Sequence, residues 1–152
     1  FKAYMNALNK NKFPFYLREF ISKKDNRLIG ICIGMQVLFE NSEENKNVEG
    51  LKLFSGNIRK NIGGLNIGYK QIIKNPKSTS IYSSKYLDKK EFFFTHGFYA
   101  DTKFKFDEIY YTKSGKYEYC SFIRYKNIYG CQFHPELSGV DGIGLLKFII
   151  NN

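Results

Sequence analysis

The stretch that decides the fold is Leu28-Ile29-Gly30-Ile31-Cys32-Ile33-Gly34-Met35-Gln36. Its first four residues form a continuous apolar run without alternation, which is typical of a strand buried on both faces of a parallel sheet. Apolar residues at helical spacing follow at once over residues 34–40, before a polar segment. The stretch therefore predicts a strand, a tight turn at Cys32 and a helix, which together are a unit of an α/β domain.

The rest of the chain adds helices and strands on both sides of this unit. Residues 1–24 carry apolar side chains at helical spacing with a restart at Pro14, and residues 139–150 predict a final amphipathic helix. Runs of β-branched and aromatic residues between turn signals predict strands over residues 51–58, 67–73, 92–98, 109–112, 119–125 and 129–133. Because no repeat or low-complexity linker interrupts the chain, we expect one α/β domain over residues 1–152.

The composition suits a folded domain of ordinary size. Of the 152 residues, 43% are hydrophobic, 18% aromatic and 25% charged, which is enough apolar material for a core. No run of 18 apolar residues occurs, so we expect no membrane partner. The odd number of cysteines (Cys32, Cys120 and Cys131) in a chain without a secretory leader predicts a reducing compartment. We therefore expect a cytoplasmic protein.

The formal net charge of +10 would suit a polyanionic partner if the positive charges were clustered. Lysines are instead scattered along the whole chain, among them Lys10, Lys23, Lys52, Lys70, Lys89, Lys103 and Lys126. This scatter favours a basic, solvated surface over a dedicated binding face. We expect no nucleic acid partner, and a basic nucleic-acid module is the weakest of the alternatives.

The segment from Gly30 to Gly34 has the form of a nucleophile elbow with Cys32 in place of serine. Glycines two residues away on either side relieve the crowding of a sharp turn. A position at a helix N-terminus favours the thiolate, and the N–H of Ile33 is left free to donate to a developing oxyanion. Taken alone, the motif fits a nucleophile or a buried core cysteine, since Cys is among the most buried residue types.

A second motif, Gln132-Phe133-His134-Pro135-Glu136, places an imidazole just after a predicted strand and a carboxylate two residues later. A cysteine that performs acyl transfer needs an imidazole to take and return its proton, and the imidazole needs a group that orients it. Read separately, His134 is a strand-end residue and Glu136 a carboxylate at a helix start. Read together with the elbow, Cys32, His134 and Glu136 predict a catalytic triad.

The remaining cysteines and histidine carry weaker signals. Cys131 and His134 have a spacing that suits zinc, yet no second pair accompanies them, so we expect no metal site. Cys120 and Cys131 alternate with aromatic residues as core residues do. His96 lies at the end of a predicted strand, where packing is the default interpretation and a binding-loop role the alternative.

Four segments together carry a resemblance to the class I glutamine amidotransferases. They are residues 30–40, Asn66-Ile67-Gly68-Tyr69, Thr95-His96-Gly97-Phe98-Tyr99 and residues 132–136. Within that family they are most similar to the glutaminase subunits of imidazole glycerol phosphate synthases, and the resemblance covers the chain from Phe1 to the last helix. It implies an α/β, flavodoxin-like mixed sheet flanked by helices.

The resemblance also implies a reaction and the residues for it. Glutamine would be hydrolysed to glutamate and ammonia through a thioester on Cys32, with His134 as base and then acid and Glu136 as its partner. Gln36 would hold the substrate amino acid, and the main chain around His96, Gly97 and Phe98 would line its pocket. No cofactor is implied. A cyclase or synthase subunit would be the heterodimer partner that receives the ammonia in imidazole glycerol phosphate formation, a step of histidine biosynthesis.

Two departures from the family pattern shape further expectations. The family normally begins with a strand, a helix and a glycine-rich loop that gives the second oxyanion donor. The chain resembles a member that starts just after that loop, so we expect an incomplete sheet at the N-terminus and little activity from the chain alone. The family's His-Ile-Gly-Trp-Asn appears as residues 66–70, and its His-Ser-Tyr-Tyr as residues 96–99. A subunit for sugar amidation in surface-polysaccharide synthesis and an inactive interaction subunit therefore stay open as alternatives.

Overall fold

The computed structural model describes residues 1–151, whose strands are β1 (Leu28–Ile31), β2 (Asn41–Ser42), β3 (Asn57–Lys60), β4 (Asn66–Lys74), β5 (Glu91–His96), β6 (Phe98–Asp101), β7 (Glu108–Ser114), β8 (Tyr117–Tyr125) and β9 (Ile128–Cys131). Six of them form a mixed sheet in the order β1-β9-β8-β7-β4-β5, and β2-β3-β6 form a smaller one. The pair β1 and β9 is parallel, whereas the other neighbours within the large sheet are antiparallel.

The helices are α1 (Lys2–Asn9), α2 (Phe13–Ser22), α3 (Ile33–Gln36), α4 (Ser84–Leu87) and α5 (Gly139–Asn151). The helical prediction for residues 1–24 is confirmed in outline, with a 3-10 turn at Lys10–Lys12 between α1 and α2. Pro14 lies in the first turn of α2, where the missing N–H has no helical acceptor to lose. The final helix is confirmed to within one residue.

Two hydrophobic clusters cover the two faces of the large sheet. Apolar side chains of α1 and α2, such as Met5 and Leu17, pack with Ile123 of β8 on one face. Leu145 and Ile149 of α5 pack with Phe122 of β8 on the other. The fold is therefore a mixed α/β sheet flanked by helices, as the sequence predicts.

The prediction of a strand over residues 51–58 is wrong for most of that segment. Leu51 and Phe54 are buried, as the apolar run requires, but strand β3 begins only at Asn57. Main-chain N–H groups of residues 50–54 donate instead to carbonyls of residues 37–40, for example Leu51 to Val37 at 2.7 Å. The segment satisfies its backbone polar groups without a ladder, so burial here does not require a strand.

The same contacts explain why the helix predicted over residues 34–40 is wrong in length. Helix α3 ends at Gln36, and the carbonyls that would continue it accept from the 50–54 segment. Val37, Leu38 and Phe39 are all buried, so this part of the chain has no solvent-facing side. The predicted strand over residues 92–98 is likewise divided, because β5 ends at His96 and β6 begins at Phe98.

Candidate active site

Cys32 lies in a sharp turn between β1 and α3. Its backbone has φ 50° and ψ −109°, a conformation that L-residues rarely adopt, and its N–H donates to the Cys131 carbonyl at 2.7 Å. A Cβ at Gly30 would lie 2.6 Å from the Gly34 carbonyl oxygen, so this position excludes a side chain. A Cβ at Gly34 would meet only the Tyr4 hydroxyl, at 3.9 Å. The elbow predicted at Cys32 is confirmed, but only Gly30 of the two glycines is needed for it.

His134 and Glu136 form a close pair just beyond β9. The imidazole Nδ1 and the Glu136 Oε1 are 2.6 Å apart, and the His134 N–H donates to the Phe93 carbonyl at 2.8 Å. The 3-10 turn Pro135–Leu137 places the carboxylate beside the ring. The carboxylate therefore fixes the orientation of the ring through Nδ1 and leaves Nε2 as its other nitrogen.

The parallel pairing of β1 with β9 carries both groups to the same edge of the sheet. Ile31 is in register with Cys131, so the residues that follow leave the two strands side by side. The Glu136 carboxylate is close enough to Cys32 to raise the pKa of its thiol electrostatically. Adjacent strands thus deliver the cysteine, the imidazole and the carboxylate to one region.

Burial is the largest influence on the Cys32 thiol and raises its pKa. The N–H of Ile33 and the amide of Gln132 lower the pKa in part, whereas Glu136 raises it. The N–H at the helix N-terminus therefore favours the thiolate as expected, but burial outweighs it, so the net pKa of the Cys32 thiol is raised. Helix α3 has only four residues, so its dipole is small compared with the cost of desolvating the thiolate. Because its pKa is raised, the Cys32 thiol would need a base to become a thiolate near neutral pH.

Two polar groups contact the sulfur directly. The thiol Sγ lies 3.9 Å from the Thr95 carbonyl oxygen, toward which it can donate, and 3.8 Å from Nε2 of Gln132. Nε2 of Gln36 donates to the Phe98 carbonyl at 3.0 Å and to Oε1 of Gln132 at 3.2 Å. Since both protons of that Gln36 amide are used within the protein, Oε1 is the atom it can offer to a substrate.

His96 is buried, with only 4% of its surface exposed, and both ring nitrogens have partners. Nδ1 lies 2.8 Å from the Phe98 carbonyl oxygen, which can only accept, so Nδ1 carries the proton. Nε2 then accepts from the Asn66 amide at 2.8 Å. Burial lowers the pKa of His96 to about 4, so the ring is neutral near pH 7. These contacts fit a residue that holds the end of β5.

The main chain of the 96–98 segment is tied to its neighbours. The Gly97 carbonyl accepts from the Asn61 N–H at 2.8 Å, and the Phe98 carbonyl accepts from both His96 and Gln36. The segment therefore lies next to Gln36, with which the resemblance groups it. Its role in lining a substrate pocket stays a prediction.

Sequence reasoning missed two buried polar residues of the site: Gln132, which contacts the Cys32 sulfur, and Asn66, which contacts the His96 ring. Gln132 and Asn66 appear in the family-like segments, but their own roles were not predicted. For Gln132 the available signal was a polar residue directly after an apolar strand, where burial demands hydrogen-bond partners. Cys120 and Cys131 are confirmed as core residues, and burial raises the pKa of both thiols, that of Cys120 to about 12.

Residues 10–146 match the model of a family described as glutamine amidotransferase class-I. The chain therefore belongs to the class I glutamine amidotransferases. Among curated proteins it is 36% identical to the imidazole glycerol phosphate synthase subunit HisH of Bacillus mycoides, covering 97% of this chain and 69% of that protein. The HisH subunit of Acinetobacter baylyi is 34% identical, covering 79% of this chain and 60% of that protein.

Solved structures show the same fold. A glutamine amidotransferase from Thermotoga maritima superposes with a TM-score of 0.52 at 24% identity, covering 95% of this chain and 56% of that one. A second solved structure, also of a glutamine amidotransferase, superposes with a TM-score of 0.60 at 13% identity and covers 93% of this chain and 70% of that one. In the described part of the chain, residues 1–151, no helix combines the length and apolar character that crossing a bilayer requires.

Proposed function

We propose that residues 1–152 are a glutaminase domain that hydrolyses glutamine to glutamate and ammonia through a thioester on Cys32. The observation that supports this most strongly is the arrangement around the β1–β9 pair. A cysteine in a strained turn follows one strand, and an imidazole held 2.6 Å from a carboxylate follows its parallel neighbour. Family membership supports the same chemistry.

In the proposed reaction His134 takes the Cys32 proton, and the thiolate sulfur attacks the side-chain carbonyl carbon of glutamine. The N–H of Ile33, which faces the sulfur, donates to the oxyanion of the tetrahedral intermediate. His134 then returns the proton to the leaving nitrogen, so ammonia departs and a thioester remains. Water, deprotonated by His134, attacks the thioester, and the thiol leaves with that proton as glutamate is released.

The roles of the binding residues are part of the same proposal. Oε1 of Gln36 would accept from the substrate amino group, and the main chain of His96, Gly97 and Phe98 would line the substrate site. The proximity of Gln36 to the Phe98 carbonyl supports this grouping.

The test is labelling with a glutamine analogue that carries an electrophilic diazoketone. Cys32 should be alkylated and Cys120 and Cys131 spared, because both of the latter are fully buried within the core. Glutamine should protect Cys32 from the label, and Cys32→Ala should abolish both labelling and hydrolysis while the circular dichroism spectrum stays unchanged. Equal labelling of the three cysteines, or labelling that glutamine does not slow, would reject the proposal.

We further propose that the ammonia passes to a cyclase or synthase subunit, with imidazole glycerol phosphate formation as the favoured pathway. The names of the similar HisH proteins support this choice. The surface near the site supports a docked partner: Val140 is 89% exposed, and the exposed Tyr69 donates its hydroxyl proton to the Leu137 carbonyl at 2.8 Å. Large apolar side chains left in water next to a reactive centre suit a protein interface.

A further inference from the structure

Gln132 is the one side-chain amide that touches the Cys32 sulfur among the described residues. It is 0% exposed, and its Nε2 lies 3.8 Å from Sγ. The residue follows β9 directly, and its N–H donates to the Ser121 carbonyl at 2.8 Å, which fixes its backbone. Because a buried amide without hydrogen-bond partners would destabilise the fold, the Gln132 amide is expected to have one definite orientation.

The orientation of the Gln132 amide is set by a chain of hydrogen bonds. The Phe98 carbonyl can only accept, so the Gln36 atom that faces it is the amide nitrogen. The second proton of that nitrogen points to Gln132, whose facing atom must then be the oxygen. The Gln132 nitrogen is consequently turned toward Cys32. This amide therefore presents a proton, and not a lone pair, to the sulfur.

We propose that Gln132 is a positioning residue for Cys32, whose Nε2–H occupies the acceptor side of the sulfur and stabilises the thiolate once the thiol proton has left. While the thiol is protonated, the same contact directs its S–H away from Gln132. The thiolate gains a second donor beside the N–H of Ile33. The stabilisation itself rests on geometry, and its consequence for turnover rests on the proposed glutaminase function.

Titratable groups lie on several elements around the turn that carries Cys32. His134 and Glu136 follow β9, His96 ends β5 beside Thr95, and the Tyr4 hydroxyl of α1 lies near Gly34 in α3. The carboxylate opposes thiolate formation, and the neutral His96 adds no positive charge. A neutral donor such as Gln132 can stabilise the thiolate. A cationic side chain would do so too, but its positive charge would also oppose the protonation of His134.

The test is the pH dependence of Cys32 alkylation by iodoacetamide, followed at each cysteine by peptide mass spectrometry. Gln132→Met removes the donor at similar volume, and it should slow alkylation near neutral pH about tenfold and move its midpoint up by about one pH unit. Gln71→Met is the matched control, because Gln71 is exposed on β4 and its side chain bonds only to the Lys89 carbonyl among described groups. The control should leave the midpoint unchanged. An unchanged midpoint in Gln132→Met would overturn the proposal.

Two further measurements keep the proposal decidable if the methionine variant is misfolded. Alkylation of the buried Cys120 and Cys131 reports misfolding directly in the same sample. Gln132→Glu keeps the shape and the oxygen for Gln36 but adds a negative charge, so its midpoint should rise further. In the unsubstituted protein, the side-chain amide NMR signals of Gln132 should shift with Cys32 ionisation, while those of Gln71 do not. If the Gln132 signals do not shift as Cys32 ionises, the proposed role of Gln132 is rejected.

Alkylation requires no glutamine turnover, so this result is independent of the proposed function. If the chain or its complex does hydrolyse glutamine, Gln132→Met should lower kcat and leave KM nearly unchanged, since the amide acts on the sulfur and not on the substrate. A merely structural role would alter neither the midpoint nor that ratio in a folded variant. A rise in KM alone with an unshifted midpoint would instead make Gln132 a substrate-binding residue and contradict the proposal.

Discussion

Two histidines stand near the cysteine and have opposite environments. The His134 ring is partly exposed and paired with a carboxylate, which supports the proposal that it acts as the base. The His96 ring is buried between an amide and a carbonyl, which suits a group that stays neutral. The residue type alone does not separate a base from a structural histidine, whereas the partners of its ring nitrogens do.

Replacement of the proposed base should be far more damaging than replacement of its partner. We expect His134→Asn to lower kcat by about 10²- to 10⁴-fold, the usual contribution of a positioned general base. Glu136→Gln should cost less, because the amide can still contact the ring while losing its charge. Steady-state glutamine hydrolysis measures both. If a folded His96→Asn protein lost more kcat than His134→Asn, the base would have been misassigned.

His96 should also make the stability of the fold depend on pH. Its pKa of about 4 in the folded state lies below the ordinary histidine value near 6.5, so the unfolded chain binds the proton first. The stabilisation is complete above the unfolded pKa and is lost as pH falls from about 6.5 to about 4. The total is about 3 kcal/mol in the free energy of unfolding.

Urea denaturation at pH 7 and pH 5 tests this dependence. The wild-type protein should lose more stability than His96→Gln over this interval, because the variant has no buried imidazole at this position to take up a proton. Parallel losses in wild type and His96→Gln would show that His96 titrates normally in the folded protein.

The turn at Cys32 depends on close contact between the end of β1 and the start of α3. Gly30→Ala should lower the free energy of unfolding by about 1–3 kcal/mol, because its Cβ would collide with main-chain atoms of Gly34 that cannot rotate away. Gly34→Ala has room and should change stability by no more than about 0.5 kcal/mol. Denaturant midpoints of the two variants give the comparison. Equal effects would contradict the packing described for the turn.

Local patterns were sufficient for the elements whose burial and backbone pairing agree. The strand predicted from the continuous apolar run of β1 and the helix predicted from the spacing of α5 are both confirmed. Residues 51–54 were read wrongly because an apolar run reports burial and not the identity of the hydrogen-bond acceptor, which here lies in residues 37–40. The three-stranded sheet β2-β3-β6 was missed because its strands have two to four residues, too few for a period to show.

The site shows the same division between local and long-range information. The elbow at Cys32 and the His134–Glu136 pair are encoded within a few residues and were predicted. The alignment of Gln132 with Cys32 and Gln36 depends on strand pairing and on the 96–98 segment. No local sequence pattern therefore predicts it.

At the scale of the whole molecule, the proposed function requires that hydrolysis respond to a partner. Tyr69 of β4 bonds to the residue directly after Glu136, so contact with its exposed ring can act on the carboxylate segment. We expect slow hydrolysis by the complete protein alone and faster hydrolysis when the partner and its acceptor substrate are both present. The measurement compares glutamate release with the partner absent, present, and present with the acceptor. Equal rates in the three would reject coupling.

The pairing of β1 with β9 also affects how the chain folds during synthesis. Leu28 pairs with Ile128, so β1 leaves the ribosome a hundred residues ahead of its neighbour. At a translation rate of about 5–20 residues per second, β1 is synthesised roughly 5–20 s before the strand with which it pairs. During refolding the β7–β8 and β8–β9 hairpins can close first, because their loops are short, and the β1 junction closes late. We therefore expect the environment of Cys32 to be among the last parts of the chain to become native.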